Sequence, residues 1–260
     1  MKVKLKGLKI NYSVDGIGSP VLIIHGWGED SKTVKNLTDM FAQTNTVYTI
    51  DLPGFGLSEE PDKSWDIYDY EDLVTKFIQY FSLDNVILVG HSLGGAIAIC
   101  IAYSRIVPVR ALFLVDSAGV RHKEMNLKTI MKKVKVMGYK FGKVCINLLP
   151  LVPKKKEKIL KRLQRKTASS DYLAAKGVMR STFVKVLNND LQYAMAKVIA
   201  PTVLIWGEKD TATPLDEAQI MNGLIRNSKL KIIRETGHFP FIDKPEEVYE
   251  IISKELRRLK

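Results

Sequence analysis

Six short runs of nearly continuous apolar residues punctuate the chain, at Pro20 to Ile24, Thr46 to Asp51, Asn85 to Val89, Arg110 to Val115, Thr202 to Trp206 and Lys229 to Arg234. Each is too short for a typical helix, so each predicts a strand. Between them apolar positions recur every three or four residues near Ser31 to Ala42, Tyr68 to Phe81, Ser92 to Tyr103, Leu215 to Ile225 and Pro245 to Leu259. That spacing predicts helices. Strands apolar on both sides, alternating with helices, give an α/β architecture: a mostly parallel, doubly wound sheet covered on both faces. Lysine alternates with apolar residues over Met1 to Gly7, which predicts an edge strand.

The connection from Ala118 to Ala200 is far longer than an unstructured loop should be. It predicts a helical cap over residues 118–190, inserted into a core made of residues 1–117 and 191–260. Within the cap Ile130, Val134, Met137, Phe141, Val144 and Leu148 follow a three-four spacing that Pro150 and Pro153 end. Further helices are expected over Lys154 to Lys166 and Tyr172 to Leu187.

One boundary carries chemistry. Val86 to Val89 leads into Gly90-His91-Ser92-Leu93-Gly94, and a run of small and apolar residues follows. A serine at a sharp strand-to-helix turn needs glycine two positions before and two after, so that no side chain collides with the backbone. Ser92 would then project from the strand end, with the Leu93 amide at the helix start facing any anion formed there. A dinucleotide-binding turn fits poorly, because serine stands where the second glycine must admit a pyrophosphate. A serine hydroxyl alone is a weak nucleophile and requires a histidine base held by a carboxylate. Asp210 ends one predicted strand segment and His238 lies in the loop beyond the next, in the order Ser, Asp, His.

With the middle third excepted, the chain resembles the α/β-hydrolase superfamily, in particular its single-domain serine esterases. The likeness rests on His25-Gly26-Trp27-Gly28, on Asp51-Leu52-Pro53-Gly54-Phe55-Gly56-Leu57-Ser58, on the Gly90 to Gly94 turn, on Trp206-Gly207-Glu208-Lys209-Asp210 and on Gly237-His238. The resemblance implies that Ser92 is the nucleophile, His238 the general base and then acid, and Asp210 the group that fixes the imidazole. It further implies an oxyanion hole made by the backbone amides of Trp27 and Leu93, with His25 and Gly26 supporting that loop. Asp116, at the end of the strand through Val115, stands where some members carry the acid instead of Asp210. The expected reaction is hydrolysis of a small-molecule carboxylic ester through an acyl-enzyme, without cofactor or metal. Hydrolysis of a carbon-carbon bond beside a ketone uses the same groups, although Phe239-Pro240-Phe241-Ile242-Asp243 departs from that subgroup's pattern. A ligand sensor that retains the triad is a third alternative. Serine at the turn argues against dehalogenases and epoxide hydrolases, which use aspartate there.

Charge adds one feature. The chain has 40 Lys and Arg against 28 Asp and Glu, for a net charge of +12. Nineteen of the basic residues and only three acids lie between Arg121 and Lys185, so the remainder is slightly acidic. The basic cap reads as a solvated face, as an attractor of anionic substrate, or as a peripheral contact with an anionic membrane. Nucleic acid is not expected, since no recognition motif accompanies the charge. Two cysteines, Cys100 and Cys145, give neither a disulfide framework nor a zinc site. Without a signal-peptide pattern or a long apolar run, the expected location is cytoplasmic.

Overall fold

The structure, a computed structural model, describes residues 1–121 and 170–258. The expected cap helices at Ile130 to Leu148 and Lys154 to Lys166 lie outside the described residues. Eight strands form one sheet: β1 (Lys2–Leu5), β2 (Leu8–Asp15), β3 (Ser19–Ile24), β4 (Asn45–Ile50), β5 (Val86–His91), β6 (Val109–Val115), β7 (Thr202–Gly207) and β8 (Ser228–Ile233). Their order is β1-β2-β4-β3-β5-β6-β7-β8, with β1 and β2 antiparallel to their neighbours and the rest parallel. This is the expected mostly parallel, doubly wound sheet. The amino-terminal edge strand is one arm of a hairpin whose other arm is β2, and the turn at Lys6-Gly7 has positive φ at both residues.

Helices described between the strands are α1 (Lys35–Ala42), α2 (Ile67–Tyr80), α3 (Leu93–Ser104), α4 (Ser170–Ala174), α5 (Gly177–Leu187), α6 (Gln192–Met195), α7 (Leu215–Leu224), α8 (Pro240–Asp243) and α9 (Pro245–Arg258). Two of the expected helices differ from the sequence reading. The first starts at Lys35 rather than Ser31, because the Asp30 carboxylate takes the amides of Lys32 and Thr33 while Asp51 takes that of Ser31. Side chains that satisfy those amides offer the backbone a turn in place of a helix. The helix expected over Tyr172 to Leu187 is two, parted near Gly177, whose φ is +47°. Long-range contacts divide the chain into one unit of residues 1–121 and 185–260 and a second of residues 122–184.

Alternate residues of each central strand feed two cores. Leu22, Ile24, Leu88, Leu112 and Leu114 meet Tyr70, Leu73, Phe77, Ile97 and Ile101 of α2 and α3 on one face. Val21, Ile23, Val89, Phe113 and Val115 meet Leu37 and Phe41 of α1, with Val248 and Ile252 of α9, on the other. Burial on both faces is why these strands are apolar throughout rather than alternating. The parallel register brings the carboxyl ends of β3 to β8 to one edge of the sheet, where ligands bind in such folds. No helix among the described residues is long and apolar enough to cross a membrane.

Candidate active site

Ser92 lies between β5 and α3 with φ +50° and ψ −114°, a conformation that costs free energy and persists only where its surroundings enforce it. Its amide donates to the Val115 carbonyl at 3.1 Å and its own carbonyl accepts from Ala118 at 2.9 Å, which pins the turn to the end of β6. The two flanking glycines serve different contacts. A Cβ at Gly90 would strike the Gly94 carbonyl, within the turn itself, whereas one at Gly94 would strike the Ile24 carbonyl at the end of β3. Gly94 therefore lets α3 close against the His25-Gly26-Trp27 loop. The Leu93 amide, first of its helix, donates to no described acceptor.

Asp210 and His238 come from the loops after β7 and β8. His238 Nδ1 lies 2.7 Å from Asp210 Oδ2, and since a carboxylate at this distance accepts, Nδ1 carries the hydrogen and Nε2 presents its lone pair. Thr213 donates its hydroxyl to the same Oδ2 at 2.6 Å, while the amides of Ala212 and Thr213 donate to Oδ1. Burial alone would raise the Asp210 pKa, but the hydrogen bonds from His238 and Thr213 overcome it and bring it down to about 2. Ser92 Oγ makes no hydrogen bond to a described residue. Catalytic hydrogen bonds in unliganded enzymes often tighten only when substrate arrives.

His25 is fully buried, donates from Nδ1 to the Gly26 carbonyl at 2.7 Å and accepts the Leu52 amide at Nε2, at 2.9 Å. Burial lowers its pKa, which suits a neutral brace between two loops. The Asp51 to Ser58 segment is fixed from within and from outside, as Asp51 accepts from Leu57 and also from Ser31 and Asn11, and Ser58 donates to the Asp51 carbonyl. Its Phe55 ring meets Trp27 edge-on at 4.9 Å.

Asp116 is the buried neighbour. It has φ +42°, and its Oδ1 accepts the Gly207 amide at 2.9 Å while Oδ2 has no hydrogen-bond partner among the described residues. Ligand atoms of Asp116, Asp210 and His238 all lie within 4.8 Å of one another, a cluster of metal-binding residue types. The direct Asp210–His238 and Asp210–Thr213 bonds already occupy this set. Burial first, and then the neighbouring Asp210 carboxylate, push the Asp116 carboxyl up to about 10 against the opposing pull of the Gly207 amide. The folded chain thus keeps a proton that the unfolded chain releases near pH 3.9, so this group loses stability for the fold as pH rises above about 4. Asp116→Asn, neutral at every pH, is expected to raise Tm by more than about 2 °C at pH 8 and by less at pH 5. Thermal unfolding at both pH values checks it; an equal difference at both would assign the proton elsewhere.

Sequence reasoning did not pick out Thr213, Glu29 or the ring of His91 as parts of the site. Thr213 had a local signal in the Asp210-x-x-Thr213 spacing, which lets one side chain bond the other across a turn. Glu29 had none, because its partner His91 is 62 residues away.

The alpha/beta hydrolase fold family matches residues 19–245. The chain belongs to that family. A hydrolase of 2-hydroxy-6-oxo-6-(2'-aminophenyl)hexa-2,4-dienoic acid from Metapseudomonas resinovorans is 26% identical over 94% of this chain and 86% of its own length. An uncharacterized protein of Mycobacterium tuberculosis is 29% identical, over 95% of this chain and 78% of its own. Among solved structures, an esterase from Exiguobacterium antarcticum superimposes with a TM-score of 0.76 at 21% identity, covering 99% of each chain.

Proposed function

We propose that this chain is a serine hydrolase that cleaves a small-molecule carboxylic ester through an acyl-enzyme, with Ser92, His238 and Asp210 as its triad. The observation that carries the reading is the His238–Asp210 hydrogen bond at 2.7 Å, in a loop held to the elbow by His91, whose Nε2 lies 2.8 Å from the His238 carbonyl. With Nδ1–H committed to Asp210, Nε2 takes the Ser92 proton as Oγ attacks the ester carbon. The resulting oxyanion is stabilised by the Trp27 and Leu93 amides. Collapse expels the alcohol, which leaves with the proton held on His238, and water repeats the sequence on the acyl-serine to release the acid.

Carbon-carbon bond hydrolysis is kept as a second reading because the Metapseudomonas relative is named for a dienoic acid of that kind. The segment after the base weighs against it. Phe239 and Phe241 pack on His91 at 5.0 and 5.1 Å, so those positions serve packing rather than the polar contacts a dienoate would use. A triad-bearing sensor would capture ligand once without turnover.

A panel of p-nitrophenyl esters varying in acyl length and charge separates the three. Turnover on the order of 1 s⁻¹ or faster on at least one ester is expected. Faster cleavage of a 2-hydroxy-6-oxodienoate than of any ester would favour the second reading, and a single stoichiometric burst without turnover the third.

A further inference from the structure

His91 is completely buried and each of its ring nitrogens faces an acceptor. Nε2 lies 2.8 Å from the His238 carbonyl oxygen, which cannot donate, so Nε2 carries a hydrogen. Nδ1 lies 3.0 and 3.1 Å from the two carboxylate oxygens of Glu29, whose side chain is only 9% exposed. A hydrogen bond there needs one proton, shared between an imidazole and a carboxylate, and the pair is neutral overall whichever group holds it. Glu29 Oε2 also accepts the Gly26 amide at 3.0 Å. Desolvation works against the Glu29 charge, but the bond to His91 outweighs it and lowers the carboxyl pKa. Three segments distant in sequence are therefore joined at one point: the loop bearing Gly26 and Trp27, the strand end bearing Ser92, and the loop bearing His238. The His91 ring is clasped by His238 at 4.8 Å and by Phe239 and Phe241, which leaves it little freedom to turn.

We infer that Glu29 and His91 are positioning residues, a buried one-proton clamp that sets the oxyanion-hole amide of Trp27 and the backbone of His238 relative to Ser92. The inference rests on the serine-hydrolase reading. Neither side chain needs to touch substrate. The pair acts through the two loops, so its loss costs rate rather than substrate affinity, since small errors in placement of reacting groups are expensive. Glutamine at position 29 would keep both bonds, its carbonyl accepting from Gly26 and its amide donating to a neutral His91 Nδ1.

The test compares Glu29→Ala with Glu29→Gln, measuring kcat and KM for a p-nitrophenyl ester per active site, with sites counted from the acylation burst. Glu29→Ala is expected to lower kcat per site about 10- to 100-fold with KM within about threefold of wild type. Glu29→Gln is expected to restore kcat to within about threefold. A role in stability alone would reduce the number of sites and leave the rate of each unchanged, and that result overturns the inference. Equal losses in the two variants also overturn it. If Glu29→Ala does not fold, Glu29→Leu combined with His91→Phe removes both polar partners while keeping apolar bulk. The same loss per site is expected there, and wild-type rate overturns the inference. A wild-type protein that turns over no ester removes the ester reading alone. A crystal structure of Glu29→Ala then decides the clamp: displacement of the Trp27 amide or the His238 backbone by roughly 0.5 Å or more supports it, and unmoved loops overturn it.

Discussion

Ser92→Ala is expected to lower kcat on the best ester about 10⁶-fold, the scale seen when a hydrolase of this chemistry loses its nucleophile, and to abolish covalent labelling by a fluorophosphonate. Rate above the uncatalysed reaction should survive, because the Trp27 and Leu93 amides and the binding surface remain. The fold should survive as well. Ser92 Oγ bonds to no described residue, and the turn is held by backbone bonds to the Val115 carbonyl and from the Ala118 amide, which alanine preserves. Alanine and serine both carry a Cβ, so the cost of φ +50° at this position is nearly unchanged. A variant that unfolds like wild type and is not labelled places the nucleophile at residue 92. Persistent labelling would mean that another side chain does the attacking.

Asp210→Asn is expected to lower kcat by about 10⁴-fold with little change in KM. The amide in place of Oδ2 can donate to His238 Nδ1, which moves the ring hydrogen to Nε2 and leaves no lone pair to accept the Ser92 proton. Thr213, which donates to Oδ2 at 2.6 Å and lies 3.4 Å from His238 Nδ1, would not correct the tautomer because the ring would still be offered a donor. Asp116→Asn is the control that decides between the two acids. Asp116 bonds to the Gly207 amide and keeps its proton in the folded chain, so its replacement should change kcat less than about tenfold. Equal losses at 116 and 210 would make Asp116 a working part of the acid, and a large loss at 116 alone would transfer the role to it.

The elements were legible to differing degrees, for physical reasons. Strands buried on both faces need apolar residues throughout, so the central strands β3, β5, β6 and β7 were visible as apolar runs, and helices α2, α3, α7 and α9 fell within a residue or so of their expected bounds. Strand β2 was missed as a separate element although Leu8, Ile10, Tyr12 and Val14 alternate with polar residues. A half-exposed strand carries that weaker two-residue signal. Helix α8 has four residues, too few for any periodicity to register.

By itself the sequence determined the doubly wound sheet and the order in which Ser92, Asp210 and His238 meet the chain, because glycine spacing at a turn and a carboxylate at a strand end are local requirements. Only the tertiary structure decided which carboxylate faces His238. Asp116 and Asp210 follow β6 and β7, which lie side by side, and the choice came from 2.7 Å of contact to His238 Nδ1 and from the donors around Asp210. It also created the Glu29–His91 contact, across 62 residues of sequence. A hydrogen bond between buried groups that far apart leaves no periodic or local trace, since its existence depends on packing that every other part of the fold must first supply.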